Sequence, residues 1–378
     1  MIKILFFIET LGGGGAEKVL RDLVNHMDQS KFDITVQTVW PCDAEKLLVP
    51  GVRYKSMYAS MSRFNLLRYR AEAASGLAYR LHIRDDYDIE AAYLECGTTK
   101  ILSSSTNRHA AKIAWVHCNM SVQMAGNLEG FVNKASKYYK RYDRVVCVSE
   151  DSLNSFRMLF GDRPPASVLY NTIDDVSIKE RAELPLPEGA IKRRTTVAAV
   201  GRLTYIKAFD RLLEVHKRLI GDGLEYDLWI IGEGEDRAKL EAYIEGNGLK
   251  DSVRLFGFQS NPYPFIKAAD LLVCSSRSEG FSTFVTEGLI LGKPIVTTEC
   301  SGMHELLGDS EFGLITENSG DALYSGLKKM LEDEDLRSEY ADKAAERGGK
   351  FSASELTKAT ERFLSDLAGE RTCPKQKQ

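Results

Sequence analysis

The stretch LLVCSSRSEGFSTFVTEGLILGKPIV, residues 271–296, decides the fold. LLVC is a short apolar run, as a strand buried on both faces requires. A polar loop, SSRSEG, follows it, and a helix forms around TEGLIL. Gly292, Lys293 and Pro294 then break the helix, and PIVTTEC is again rich in strand formers. Strand, loop, helix and strand in this order predict an open parallel sheet.

The same alternation extends both ways from this stretch. Upstream come TTVAAVGRL, the helix TYIKAFDRLLEVHKRLI, the strand YDLWIIGEG, a helix from about Asp236 and the strand SVRLFGF. Downstream, FGLIT closes the sheet, and the tail from about Ser319 reads as charged helix. The first half repeats the pattern with KILFFIE, FDITVQTVW, YDIEAAYLE, KIAWVHC and RVVCVSE. Between the first two of these, Val19, Leu20, Leu23, Val24 and Met27 recur at helical spacing. ERAELPLPEGAIKRR has no apolar period and reads as an interdomain connection. The expectation is an α/β chain of two doubly wound units: residues 1–185, residues 186–350, and a last helix with a short tail, 351–378, crossing back to the first. Ligands of such sheets bind outside the carboxyl ends of the strands, so a cleft where both sets of ends face each other is the expected site.

Composition narrows the class. A chain of 378 residues, 43% hydrophobic and 28% charged, is that of a soluble two-domain protein, and a net charge of −4 gives no reason to expect nucleic acid. The seven cysteines, Cys42, Cys96, Cys118, Cys147, Cys274, Cys300 and Cys373, have no CxxC spacing and an odd count. They read as reduced thiols in a cytoplasmic protein, with no disulfide framework or zinc site. The apolar run after Lys3 is too short for a signal peptide and is interrupted by Glu9.

Four motifs stand at strand–loop–helix junctions, where helix amides favour anions. Gly12–Gly15 follow the first strand. They fail the dinucleotide fingerprint at Glu17, and no Gly-Lys-Ser/Thr follows them. They imply close backbone approach, unusual backbone angles, or a simple surface turn. Gly232 and Gly234 form a similar loop in the second half. Gly201-Arg202, with Lys207 five residues on, offers two cations suited to a diphosphate or a solvated basic turn. Glu279 and Gly280 precede a helix whose first amides run from about Phe281 to Thr283, and Glu287 lies further along it. Two carboxylates so spaced suit sugar hydroxyls better than the facing acid–base pair of a glycoside hydrolase.

GGGGAEKVL, VGRLTYIKAFDRLLEV, IIGEGEDRAKLE, the 271–296 stretch and SGMHELLG together resemble a retaining glycosyltransferase of family four with the GT-B fold, of the bacterial cell-surface polysaccharide type. The resemblance covers nearly the whole chain and is strongest over 200–308. It implies that residues 186–350 bind a nucleotide-diphosphate sugar, UDP favoured, and that residues 1–185 take the acceptor. By that resemblance Arg202 and Lys207 grip the diphosphate, with Gly201 and Gly232 beside them. Glu287 holds the ribose, Phe258 stands near the base, and Glu279 holds the donor sugar with Gly280, Phe281, Ser282 and Thr283. Ser282 replaces the proline common in the family. His117 is implied near the donor sugar, Gly14 and Gly15 in a loop that approaches the diphosphate and the acceptor, and Asn171 in a hinge turn. The resemblance further implies hexosyl transfer by front-face attack, with no cofactor and no metal. A nucleotide-sugar epimerase or a non-catalytic sugar-nucleotide-binding subunit on the same fold is the alternative.

Residues 52–84 carry Arg53, Lys55, Arg63, Arg68, Arg70, Arg80 and Arg84 among aromatic and aliphatic residues, with Glu72 the only acid. Such a segment suits an anionic membrane surface or, equally, an amphipathic helix covering the sheet. The first reading fits a polyprenol-linked glycan acceptor used at the inner face of the membrane.

Overall fold

The computed structural model describes residues 1–372; Cys373 lies outside them, and the other six cysteines are unbridged. The chain divides into two compact units, one of residues 1–173 together with Ala353 onward, the other Asp174–Ser352.

The first unit is built on seven strands: β1 (Ile2–Ile8), β2 (Phe32–Thr38), β3 (Arg53–Ser56), β4 (Ile89–Ala92), β5 (Ala111–Val116), β6 (Arg144–Cys147) and β7 (Ala166–Val168). Their order is β3-β2-β1-β4-β5-β6-β7, and every pairing is parallel. Ile4 to Ile8 of β1 are fully buried, as a central parallel strand covered on both faces requires. The helix Gly15–His26 buries Val19, Leu20, Leu23 and Val24, the stripe expected from their spacing. The helix Ala353–Thr372 packs on that helix and on β5; Glu361 accepts the Asp28 amide at 2.6 Å, and Arg144 pairs with Glu370 at 2.6 Å.

The second unit holds β8 (Thr196–Val200), β9 (Asp227–Ile231), β10 (Val253–Leu255), β11 (Leu271–Cys274), β12 (Ile295–Thr298) and β13 (Leu314–Thr316), ordered β10-β9-β8-β11-β12-β13 and again all parallel. It begins at Asp174 rather than 186. The helix Asp175–Ala182, which includes the start of the supposed connection, buries Ile178 and Ala182 against the helices Tyr263–Ala268 and Thr283–Ile290. Arg181 adds a bond to the Ser260 carbonyl at 2.5 Å and lies over the Tyr263 ring.

Two further expectations change. The helix read from TYIKAF starts only at Phe209, because Tyr205–Lys207 form a separate 3-10 turn and Ala208 takes a left-handed φ of 54°. Residues 52–84 are not one amphipathic helix. RYKS is the edge strand β3, alternating exposed and half-buried residues, and the helix Arg63–Ser75 buries none of its residues. Among the described residues no helix is long and apolar enough to cross a membrane.

Candidate functional site

In each sheet the chain winds outward from one central strand and then returns to its other side. The loops leaving those two neighbouring strands diverge and open a crevice at their carboxyl ends. In the second unit the two strands are β8 and β11, followed by the loops 201–208 and 275–282.

Lys207 and Glu279 meet across this crevice, with Nζ at 2.6 and 2.9 Å from the two carboxylate oxygens. The Ser276 hydroxyl donates to the same carboxylate at 2.5 Å. Burial alone would push the Lys207 ammonium down, but the Glu279 carboxylate outweighs it and holds the pKa above the ordinary value. Lys207 is therefore a fixed cation. Arg202 differs: it is exposed, and among the described residues it has no ion-pair partner.

The loops are laced together by residues that sequence reasoning missed. Arg277 donates its amide to the Ile206 carbonyl at 2.7 Å, binds Asp210 through two 3.0 Å bonds, and stacks on Tyr205 at 4.0 Å. Arg211 donates to the carbonyls of Ser275 and Ser276 at 2.5 and 3.2 Å, and Asn318 reaches the Glu299 carbonyl at 2.9 Å and that of Arg277 at 3.1 Å. No local spacing links residue 211 or 318 to residue 276, so only the fold reveals them.

Gly232 and Gly234 have a framework role. A Cβ on Gly232, whose φ is +146°, would stand 1.9 Å from the Gly201 carbonyl oxygen, and one on Gly234 2.3 Å from that of Leu203. With the Gly201 and Leu203 amides bonded to Ile231 and Glu233, this contact fixes where the chain carries Arg202. Gly257, bonded to the Gly232 amide, leads to Phe258, whose side chain is exposed.

The helix Thr283–Ile290 is almost wholly buried, and Ser282 caps it by accepting the Val285 amide at 3.4 Å. Its cap leaves other first-turn amides of this end to external acceptors. Gly280 and Phe281 are buried just before it, and Gly302 must lack a side chain because a Cβ would meet the Gly280 oxygen at 2.7 Å. Glu287, only 6% exposed, receives the Tyr263 hydroxyl at 3.3 Å.

In the first unit the crevice lies between the loops after β1 and β4, with the end of β5 beside it. The first loop holds Gly12–Gly15. None of the four has a left-handed φ, which removes unusual backbone angles as their reason. A Cβ on Gly14 would meet only the movable end of Glu17. Arg21 holds this loop by the carbonyls of Leu11 and Gly12 at 3.2 and 3.3 Å.

His117 follows β5. Its ring packs on Tyr93 at 4.8 Å and hydrogen-bonds the Tyr93 backbone, while Nε2 is buried with no partner. Burial holds its pKa down at about 3, so the ring is neutral and Nε2 is a waiting acceptor. Its amide donates to Glu95, as does that of Cys118 at 3.0 Å. Asn171 is buried, with Oδ1 unpartnered.

Known proteins resemble this chain. The model described as Glycosyl transferases group 1 matches residues 180–347, and that of Glycosyltransferase Family 4 matches 13–176. The N-acetylgalactosamine-N,N'-diacetylbacillosaminyl-diphospho-undecaprenol 4-alpha-N-acetylgalactosaminyltransferase of Campylobacter jejuni is 30% identical over 96% of this chain and 100% of its own length. The chain belongs to the family-four glycosyltransferases. This chain is also 30% identical to the lipopolysaccharide core biosynthesis glycosyltransferase LpsE of Rhizobium meliloti, over 60% of its own length and 66% of that protein. Its fold is GT-B. HepE of Anabaena, solved in complex with UDP and glucose, superposes with a TM-score of 0.74 at 20% identity, covering 97% of this chain and 100% of that one. Sucrose-phosphate synthase from Thermosynechococcus elongatus gives 0.80 at 15% identity, covering 97% and 99%.

Proposed function

We propose that the transferase moves a sugar from a UDP-sugar, bound by the second unit, to a hydroxyl of a polyprenyl-diphosphate-linked glycan bound by the first, with retention. The observation that carries the donor half is the switch-point crevice with its cation set, the fixed Lys207 and the free Arg202. Arg202 spans two phosphate oxygens with its planar fork while Lys207 adds a point charge. Both stabilise the charge that grows on UDP as the glycosidic bond breaks, where such stabilisation is most effective. Glu279 and the amides around Gly280–Thr283 hold the donor sugar, and Glu287 takes the ribose hydroxyls. His117 accepts a hydroxyl through Nε2; neutral as it is, it binds and orients rather than transferring a proton. The acceptor's proton passes to a donor phosphate oxygen, so the protein contributes orientation and electrostatics. With this charge supplied by side chains, no metal is required.

The lipid-linked acceptor rests on the activity for which the Campylobacter relative is named and on the surface of the first unit. Met61, Phe64 and Leu67 are exposed on and beside the helix Arg63–Ser75, together with Arg63 and Arg70. Glu72 is occupied by Arg68, His82 and the Tyr58 hydroxyl, and Arg53 and Lys55 by Asp33 and Asp85. A cationic, partly apolar face thus remains for an anionic bilayer. On the inward side of the same helix, packed on the core, Tyr69 has its hydroxyl 2.7 Å from where a Gly97 Cβ would be, beside the β1–β4 crevice. The reading places the protein in the cytoplasm, at the membrane's inner face.

The test offers UDP-, GDP- and ADP-sugars to the full chain with a polyprenyl-diphosphate-linked N-acetylhexosamine disaccharide. Sugar transfer from a UDP-sugar with an α-linked product supports the reading. Inversion, or donor epimerisation without an acceptor, refutes it.

A further inference from the structure

We infer that Glu95 is an acceptor-binding residue, its carboxylate taking hydroxyl hydrogens of the acceptor glycan at the β1–β4 crevice. The inference rests on the function proposed above and names the residue that orients its acceptor.

Glu95 follows β4 and is placed by two devices. Its carboxylate accepts the amides of His117 and Cys118 from the end of β5, and the Cys118 thiol adds a side-chain bond, so its direction is set by the end of that strand. Cys96 next to it holds φ +65° and ψ −102°, a conformation that L-residues rarely adopt and that costs about 1–3 kcal/mol. That turn brings the Glu95 side chain back toward β5 while Cys96 itself faces solvent. Gly97 completes the bend, where a Cβ would meet the Tyr69 hydroxyl at 2.7 Å. Strain, two backbone bonds and a close contact converge on one half-buried carboxylate.

The location and chemistry of this group say what it binds; burial raises its pKa above the ordinary carboxylate value, against the amides it accepts, which lower it. It stands at the switch point of the first sheet, the counterpart of the crevice that Lys207 and Glu279 span in the second. Residues 9–15, 93–97 and 116–120 contain no lysine or arginine but carry Glu9 and Glu95. The neighbouring Nε2 of His117 is a further acceptor without a donor. A fixed carboxyl beside a buried, unpartnered ring nitrogen suits a ligand rich in hydroxyl or amide hydrogens, which is the chemistry of a glycan end. A carboxylate hydrogen-bonding a hydroxyl beside the attacking one fixes the acceptor's rotation and takes no proton in the reaction.

Glu95→Gln separates this from a merely structural tie, because its amide oxygen still accepts the two backbone amides that share Oε1 while the other carboxyl oxygen becomes a donor. The full-length variant is assayed with a UDP-sugar and the polyprenyl-diphosphate-linked N-acetylhexosamine disaccharide, with UDP affinity by calorimetry. The expected result is at least a 30-fold fall in kcat/KM for the acceptor, with the UDP Kd and melting temperature close to wild type. Should Glu95→Gln melt well below wild type, Glu95→Asp carries the test; it keeps the carboxyl group but shortens its reach, and the same split is expected. Unchanged acceptor kinetics overturn the inference alone. Absence of transfer by the wild-type chain overturns the parent reading and this one with it.

Discussion

Replacing Glu279 by Gln removes the charge that holds Lys207 and changes little else in shape. Lys207 and Glu279 are 30% and 9% exposed, so the pair is neither a surface bridge nor fully dry. Removing one partner of a fully buried pair costs about 3–5 kcal/mol. Water reaching Lys207 screens part of that, and about 2 kcal/mol is the expected loss. For a unit of this size the melt falls by roughly 4–8 °C. UDP binding moves the other way: with its counter-charge gone, Lys207 is fully available to a diphosphate, and affinity stays equal or rises. Transfer falls on the order of 10²-fold, because the donor sugar loses its carboxylate. Lys207→Met instead removes a charge-assisted bond, about 1.5–3 kcal/mol, and weakens UDP roughly 10- to 150-fold. Thermal melts and calorimetry on both variants and on the double variant read the coupling directly. If Glu279→Gln melts like wild type and weakens UDP tenfold, Glu279 is not the neutralising partner of Lys207, and the site has been misread.

His216 is fully buried, its Nε2 2.8 Å from the Ser252 hydroxyl, and burial holds its pKa at about 4 against an ordinary 6.5. The unfolded chain therefore takes a proton first as pH falls, and stability present above 6.5 is lost progressively toward 4. By pH 5 the loss from this one group reaches about 2 kcal/mol, and denaturant melts of His216→Gln should fall less between pH 7 and 5. Gly232→Ala meets both a left-handed φ and the Gly201 carbonyl, so a loss of roughly 3 kcal/mol or more is expected, with UDP affinity falling as Arg202 shifts. Gly14→Val should leave the melt nearly unchanged and reduce transfer more than UDP binding; equal effects on both would remove the glycine loop from the acceptor side. Transfer should persist in excess EDTA, and a loss restored by magnesium would show that Arg202 and Lys207 do not suffice. Binding to anionic liposomes at low salt should weaken severalfold in Arg63→Glu with Arg70→Glu, and unchanged cosedimentation would end the membrane reading of 52–84.

Much of the architecture was legible because its signals are local. Strand runs such as KILFFIE and LLVC, the helical spacing of Val19 to Val24, and the glycine breaks each act within a few residues. β3 escaped because RYKS, an edge strand, alternates charge and polarity where a central strand is apolar throughout. The start of the second unit escaped because Ile178 and Ala182 pack on helices that begin at Tyr263 and Thr283, far along the chain.

By itself the sequence determined the α/β class, the two doubly wound sheets, and the loops at which Arg202, Lys207, Glu279 and His117 stand. These follow from short-range periodicity and from the rule that parallel strands present their loops at one end. Only tertiary structure decided the state of those residues. Lys207 is paired while Arg202 is free, Gly232 serves the Gly201 contact, and His117 is neutral with an open Nε2. It also brought Glu95 to the end of β5, twenty-two residues on. Charge state, desolvation and hydrogen bonding depend on neighbours in space, and for these residues the neighbours come from other strands of the sheet.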